Sequence, residues 1–461
     1  ATISLLLPVS FKIGSPVTSI IMMAGIFYGA MYGGSTTSIL VNIPGEAASV
    51  VTCLDGYQMA RQGRAVPALG MCAMASFIAG TFSVIFLMVL APPLAEMALK
   101  FGPPEYFSLM ILGLMLLIFL SSGPMSKALL VAGFGLFLGT IGLDNLTATT
   151  RFTFGTVTLM DGVDLVPVVM GLFGIGEVLY NLEQPIQREV FNTEFKNLLP
   201  NLKDWIDSKW AVIRGTVIGF FLGILPGGGA VISSFAAYAI EKRLSKTPEK
   251  FGTGIIVGVA APEAANNSAA GGAFIPLMTL GIPGNAVMAI LLGALVIHGI
   301  QPGPMMIAQH PHLFWGVVTS MYVGNAMLLI LNLPLVGLWV RALRIPYSIL
   351  FPLILLFCLI GSYSLKNNMG DMLVMVVFGV IGYLMRKYRY DTPPLVLALV
   401  LGPMMEAALR RSLLLSDGSP AIFFQRPISA ALMLVSVFLL ASAVLPGLIR
   451  KRKKIALNVE E

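Results

Sequence analysis

The sequence predicts an all-α polytopic membrane protein made of two inverted-topology repeats, with broken helices or re-entrant hairpins and about 12 transmembrane segments. Three observations carry that expectation. Of 461 residues 57% are hydrophobic and 11% are charged, against about 25% charged in an average soluble domain. The apolar stretches are long enough for the roughly 20 helical residues that cross a hydrocarbon core, and they carry glycine and proline freely, which favours helices over barrel strands. A polar, glycine-broken string, GGSTTSILVNIPGE from Gly33 to Glu46, returns in altered form as GGAFIPLMTLGIPGN from Gly271 to Asn285.

Taken in order, apolar spans are predicted near 15–32, 66–92, 106–121, 125–143, 164–181, 210–225, 228–240, 253–268, 313–340, 347–362, 370–386, 393–409 and 428–449. Residues 1–181 form the first repeat, with its hairpin motif at 33–60. A charged stretch at 182–209, with Trp205 and Trp210, reads as a cytoplasmic linker and interfacial helix. Residues 210–449 form the second repeat, with motifs at 223–233 and 262–304, and 450–461 is a basic cytoplasmic tail. The net charge of +7 sits in short loops and at that tail, Arg450 to Lys454. Such a distribution is the positive-inside pattern of a chain with a cytoplasmic C-terminus and does not point to nucleic acid.

Gly33-Gly34 pairs with Gly271-Gly272, Ile43-Pro44-Gly45 with Ile282-Pro283-Gly284, and ALKFGPPEY from Ala98 with ALRIPY from Ala342. Arg61 and Arg64 follow the first motif, whereas QPGPMMIAQHPH, without Lys or Arg, follows the second. Conversely, Arg341 and Arg344 face a single Lys100 in the matching loop. Opposite charge in corresponding loops is what inversion produces. GILPGGGAVIS, Gly223 to Ser233, precedes the second motif and has no counterpart before the first. With Ala1 not a methionine and no signal-peptide pattern, we expect a preceding hairpin or span.

Irregular backbone at membrane depth must be buried in protein or line a wet cavity. Pro44 and Pro283 stop helices and leave carbonyls of the preceding turn free to ligate a cation, so Na+ is expected at carbonyls near Asn42 and Gly281. The helix that starts beyond each break offers N–H groups to an anion. The candidate substrate- and ion-binding residues are Gly33, Gly34, Ser35, Thr36, Thr37, Ser38, Asn42, Pro44, Gly45 and Glu46 in the first half. Those in the second are Pro226, Gly227, Gly228, Glu263, Asn266, Asn267, Ser268, Gly271, Gly272, Pro283, Gly284 and Asn285. Their neutral hydroxyls and amides suit a carboxylate that must also leave. Glu46 and Glu263 are cation ligands or proton carriers, because an acid at membrane depth costs on the order of 2.5–3.5 kcal/mol. Alternatively, small and hydroxylated residues serve close helix packing, Glu46 caps the helix after Pro44, and Glu263 lies in a loop after Pro262.

Other chemistry finds no footing. Gly227 to Gly229 lack the Lys-Ser/Thr of a phosphate loop, so ATP hydrolysis is not indicated. Cys53, Cys72 and Cys358 are far apart and read as core residues, and His298, His310 and His312 as interfacial ones. No histidine lies near the polar motifs, which argues against an intramembrane enzyme. No cofactor and no catalytic residue are expected.

The segments Tyr28 to Gly70, Gly223 to Ser233 and Pro262 to Pro304 closely resemble the large membrane subunit of bacterial tripartite tricarboxylate transporters, the TctA type. The resemblance covers essentially the whole chain. It implies a multi-pass permease of the inner membrane that imports citrate-like carboxylates, driven by a Na+ or H+ gradient. It also implies two partners, a small membrane subunit of about four helices and a periplasmic solute-binding protein. The family's signature positions fall on Gly33 to Ser38, Asn42 to Glu46, Leu225 to Gly229, Pro262 to Ser268, Gly271-Gly272 and Ile282 to Asn285. A channel, or a stand-alone carboxylate symporter or exchanger, is the alternative. By analogy with other binding-protein-dependent carriers, one repeat domain is expected to move against a scaffold like an elevator.

Overall fold

A computed structural model describes all residues except Ala1, Ile43, 121–123, 145–146, 157–158, 184–199, 226–228, 339–346 and 445–461. The middle of the expected linker, the loop arginines Arg341 and Arg344, and the basic tail therefore lie outside the described residues, as do Pro226, Gly227 and Gly228.

The first half runs α1 (Thr2–Lys12), α2 (Pro16–Val41), α3 (Val50–Arg61), α4 (Ala65–Ala98), α5 (Pro103–Leu120) and α6 (Met125–Leu138). A two-stranded ribbon, Gly142–Leu143 paired antiparallel with Thr150–Arg151, leads into α7 (Leu165–Glu183), which contains a π-helical stretch at Met170–Ile175. In the second half come α8 (Leu202–Ile224), α9 (Gly229–Leu244), α10 (Val257–Gly272), α11 (Phe274–Leu280) and α12 (Ala286–Ile297). They are followed by α13 (Pro311–Asn332), α14 (Tyr347–Lys366), α15 (Met369–Lys387), α16 (Pro393–Leu415) and α17 (Pro427–Val444). Six of these, α2, α4, α7, α13, α15 and α16, are long and apolar enough to cross a bilayer, and five shorter apolar helices accompany them. The chain is an all-α, multi-pass membrane protein.

Both polar strings are more helical than their composition suggests. Helix α2 runs on through Gly33–Ser38 to Val41, and the hydroxyls of Thr37 (2.9 Å) and Ser38 (3.0 Å) are satisfied within it by donating back to the Gly34 carbonyl. Asn266–Gly272 likewise belong to α10. Among the described residues the irregular backbone shrinks to Asn42, 44–46 and 281–285, and the two stretches are built alike. Asn42 (φ 54°) and Gly281 (φ 70°) take the left-handed conformation that ends a helix. Ile-Pro-Gly follows each, and then Glu46 and Asn285 cap the next segment with their side chains.

Around these breaks the two halves exchange contacts. Helix α4 packs on α10 while α13 packs on α2, α6 lies against α16 while α15 lies against α7, and α17 covers α5 as α1 covers α14. Glycine permits the tightest of these approaches. Gly215, Gly219 and Gly223 of α8 face the backbones of Ala261, Ala265 and Ala269 of α10, a seam of small residues one turn apart. At one end of the bundle, Asp144 and Glu406 bind Arg151 and Arg410, which ties the ribbon to α16.

The loop before α10 is held by a residue of α3. Buried Asp55 accepts from the backbone N–H groups of Gly252 (3.0 Å), Gly254 (2.8 Å) and Ile255 (2.9 Å) and from Tyr238 Oη (2.8 Å). Its carboxylate fills the space that a Cβ at residue 258 would need, which requires Gly258.

Two outcomes follow. Gly219→Leu forces α8 from α10 and costs about 1–3 kcal/mol or more as overpacking; a thermal midpoint unchanged in detergent would show that the seam is not tight. Asp55→Ala removes the shared acceptor of four part-buried donors at a cost of about 1–3 kcal/mol, so limited proteolysis should cut at 245–256 while Asp55→Asn resists better. Equal cutting of wild type and Asp55→Ala would remove this anchor.

Candidate functional site

The buried polar residues converge where α10 meets the first break. Glu263 lies within α10 rather than in an exposed loop, and its side chain is wholly buried. Oε1 accepts from Ser35 Oγ of α2 (2.6 Å) and from Thr52 Oγ1 of α3; Oε2 accepts from Cys72 Sγ (3.2 Å) and Ser76 Oγ (3.4 Å) of α4. All four donors are neutral and come from the first half of the chain. Among the described residues, no Lys, Arg or His pairs with Glu263 or Glu46.

One turn on, Asn267 Nδ2 donates to Ser76 Oγ (2.7 Å) and to the Glu263 carbonyl (3.1 Å). Its neighbour Asn266 donates Nδ2 to Glu46 Oε1 (2.9 Å). Glu46 does cap the turn after Pro44, its Oε2 accepting from Ala48 N–H at 2.6 Å. It is therefore both a cap and a bridge between the halves. The side-chain oxygens of Asn266 and Asn267 are buried and have no hydrogen-bond partner.

The geometry of the first break follows from these contacts. Gly45 folds back against Gly34, its N–H donating to the Gly34 carbonyl at 3.2 Å. Ser35 and Thr52 then share one carboxylate oxygen, and Gly56 lies against Ile39. Successive positions of α3 thus match successive positions of α2, so the two run in the same sense. Of the two forms expected, the first motif takes that of a broken helix.

The other candidates divide. Thr36 is buried in α2, while Gly33, Asn42, Pro44 and Gly45 are exposed. Ser268 bonds the Thr216 carbonyl of α8 (2.7 Å), Gly271 abuts Ser83 of α4, and Gly272 abuts the Phe220 carbonyl, so these three serve packing. In the second break Asn285 accepts from Met288 N–H (2.9 Å), and Pro283 and Gly284 are buried. Ile282 there joins an apolar cluster with Leu397 of α16. Beside the two breaks, Gly34 O is engaged as above, Thr37 O by Asn42 N–H, Leu277 O by Gly281 N–H, and Pro276 O by Ile282 N–H.

Sequence reading passed over Thr52, Cys72, Ser76 and Asp55, each a single polar residue in an apolar context. Cys72 and Ser76 stand one helical turn apart, the spacing that places both on one face. It also passed over Tyr32, whose Oη donates to Asn325 (2.5 Å), which in turn reaches the Phe77 carbonyl (2.8 Å) and pins α2, α4 and α13 together. Among the described residues, no three His, Cys, Asp or Glu side chains gather as a metal centre.

Comparison with known proteins places the chain. It is 50% identical over 455 residues, 99% of its own length and 90% of the relative's, to an uncharacterized 52.8 kDa protein in the TAR-I ttuC′ 3′ region of Agrobacterium vitis. It is also similar to an uncharacterized protein in the TAR-II ttuC′ 3′ region of Agrobacterium vitis, 49% identical over 237 residues, 51% of this chain and 98% of that one. No solved structure matches it. The tripartite tricarboxylate transporter TctA family matches residues 1–397, and the chain belongs to that family.

Proposed function

We propose that this protein is the permease subunit of a tripartite, binding-protein-dependent secondary transporter that imports tricarboxylates or related carboxylates. Membership of the family supports a transport role with partner subunits. The observation that carries the reading further is the polar seam in which Ser35, Thr52 and Glu46 meet Glu263, Asn266 and Asn267 inside an apolar helix bundle. Ionisable and amide groups at membrane depth mark a solute or ion path.

The fold is two inverted-topology repeats with about 12 crossings. The exchanged helix contacts and the shared order of left-handed cap, Ile-Pro-Gly and capping side chain support this reading. The exposed backbone at Asn42, Pro44 and Gly45 cannot face lipid, so it opens to water or to a partner and gives the solute access to the seam. Neutral amide and hydroxyl groups beside the two breaks hold the carboxylates, and a Na+ or H+ gradient drives the cycle. Movement of one repeat domain against a scaffold carries the solute across. The protein is not an enzyme and uses no cofactor. Its partners are a small membrane subunit of about four helices and a periplasmic solute-binding protein, in the bacterial inner membrane. The basic composition of the tail supports a cytoplasmic C-terminus.

Proteoliposomes containing both membrane subunits and the binding protein, offered labelled di- and tricarboxylates under separate Na+ and pH gradients, should take up a tricarboxylate only when the binding protein is present. Uptake unaffected by its omission would overturn the tripartite reading. In the same assay Asn42→Ala and Asn267→Ala should each abolish uptake while remaining folded and inserted; wild-type rates in both would remove these amides from the path.

A further inference from the structure

We infer that a monovalent cation binds between α10 and the broken helix, held by the Glu263 carboxylate and the side-chain oxygens of Asn266 and Asn267. Three observations lead there. Glu263 is wholly buried and meets only neutral donors. A carboxylate in a low-dielectric interior needs a compensating positive charge, either a proton or a metal ion.

The two amides decide between these. Each uses its Nδ2 on an acceptor that fixes its orientation, Asn267 on the Glu263 carbonyl (3.1 Å) and Asn266 on Glu46 (2.9 Å). Their oxygens are thereby turned the other way, buried and without partners. A proton on Glu263 answers the carboxyl alone, whereas a cation between α10 and the broken helix also offers positive charge to the amide oxygens one turn on.

The donor set names the class of ion. Carboxylate, amide carbonyl and the lone pairs of the Ser35 and Thr52 hydroxyls are all hard oxygens, which suit an alkali or alkaline-earth cation. A divalent ion calls for more carboxylate oxygens than the single carboxylate of Glu263 provides. One negative charge matched by one positive charge fits Na+. The ligands belong to α10, and the hydroxyls on Oε1 to α2 and α3, so a bound ion also draws the two halves together.

The inference rests on the transporter reading only for the ion's role as coupling ion. It is tested on the full-length protein in detergent with Na+ alone, by thermal unfolding and by equilibrium dialysis of radioactive Na+, with choline keeping ionic strength constant. The melting temperature should rise with the logarithm of Na+ concentration, as mass action requires, and one ion should be retained per chain. Glu263→Gln and Asn267→Leu should each lose both the shift and the retained ion. Wild-type protein that retains no Na+ and responds only to acidification overturns the site in favour of a proton; this measurement needs no variant to fold. A Na+ response undiminished in both variants overturns these ligands. Loss of carboxylate uptake with Na+ binding intact overturns the transporter reading alone.

Discussion

A carboxyl buried in an apolar bundle has to be surrounded by hydrogen-bond donors, and Glu263 imposes that requirement on three helices at once. Ser35, Thr52, Cys72 and Ser76 come from α2, α3 and α4, so those helices can adopt only positions that bring all four to one pair of oxygens. The parallel course of α2 and α3 is one consequence. A second carboxylate works in the opposite direction: Asp55 of α3 receives the backbone leading into α10. Each helix thus contributes one acid that the other satisfies. Such an arrangement stays intact only as a whole, because removing one partner strands the rest.

Helix α10 can present this polar face because its other face packs on backbone. Ala261, Ala265 and Ala269 accept the glycine stripe of α8, and Ser268 bonds the Thr216 carbonyl. Between helices in lipid, water exclusion supplies little attraction, and close van der Waals contact between small residues replaces it. Wide and narrow residues on α10 are therefore sorted by function: small ones toward α8, amides and acid toward the first break.

The two breaks share a backbone grammar but differ in surroundings. Asn42, Pro44 and Gly45 are exposed, whereas Gly281 to Gly284 are buried against the region of Pro302 and Leu397. Each left-handed cap closes the preceding helix and engages its terminal carbonyls, so the cap is a device for changing chain direction. The side chains just beyond it differ in reach: Glu46 crosses to Asn266 of the other half, while the Asn285 side chain caps its own helix.

Much of this was legible in the sequence, for physical reasons tied to particular residues. The low charge and long apolar runs determined the solvent and the all-α class. Pro44 and Pro283 determined where helices must stop, since proline lacks the donor, and Gly45 leaves room for the close approach to Gly34. The repeated string contains Glu46, and Glu263, Asn266 and Asn267 stand just before its second copy. What the string left open was how far each helix reaches and which of its polar groups meet. Helix α2 stays helical through Gly33 to Ser38, a stretch whose composition reads as a break, with the Thr37 and Ser38 hydroxyls satisfied on the Gly34 carbonyl. Thr52, Cys72, Ser76 and Asp55 are isolated polar residues whose partners lie nearly 200 or more positions away. Only tertiary packing brings them to one carboxyl, because a hydrogen bond depends on separation in space and sequence fixes separation only along the chain.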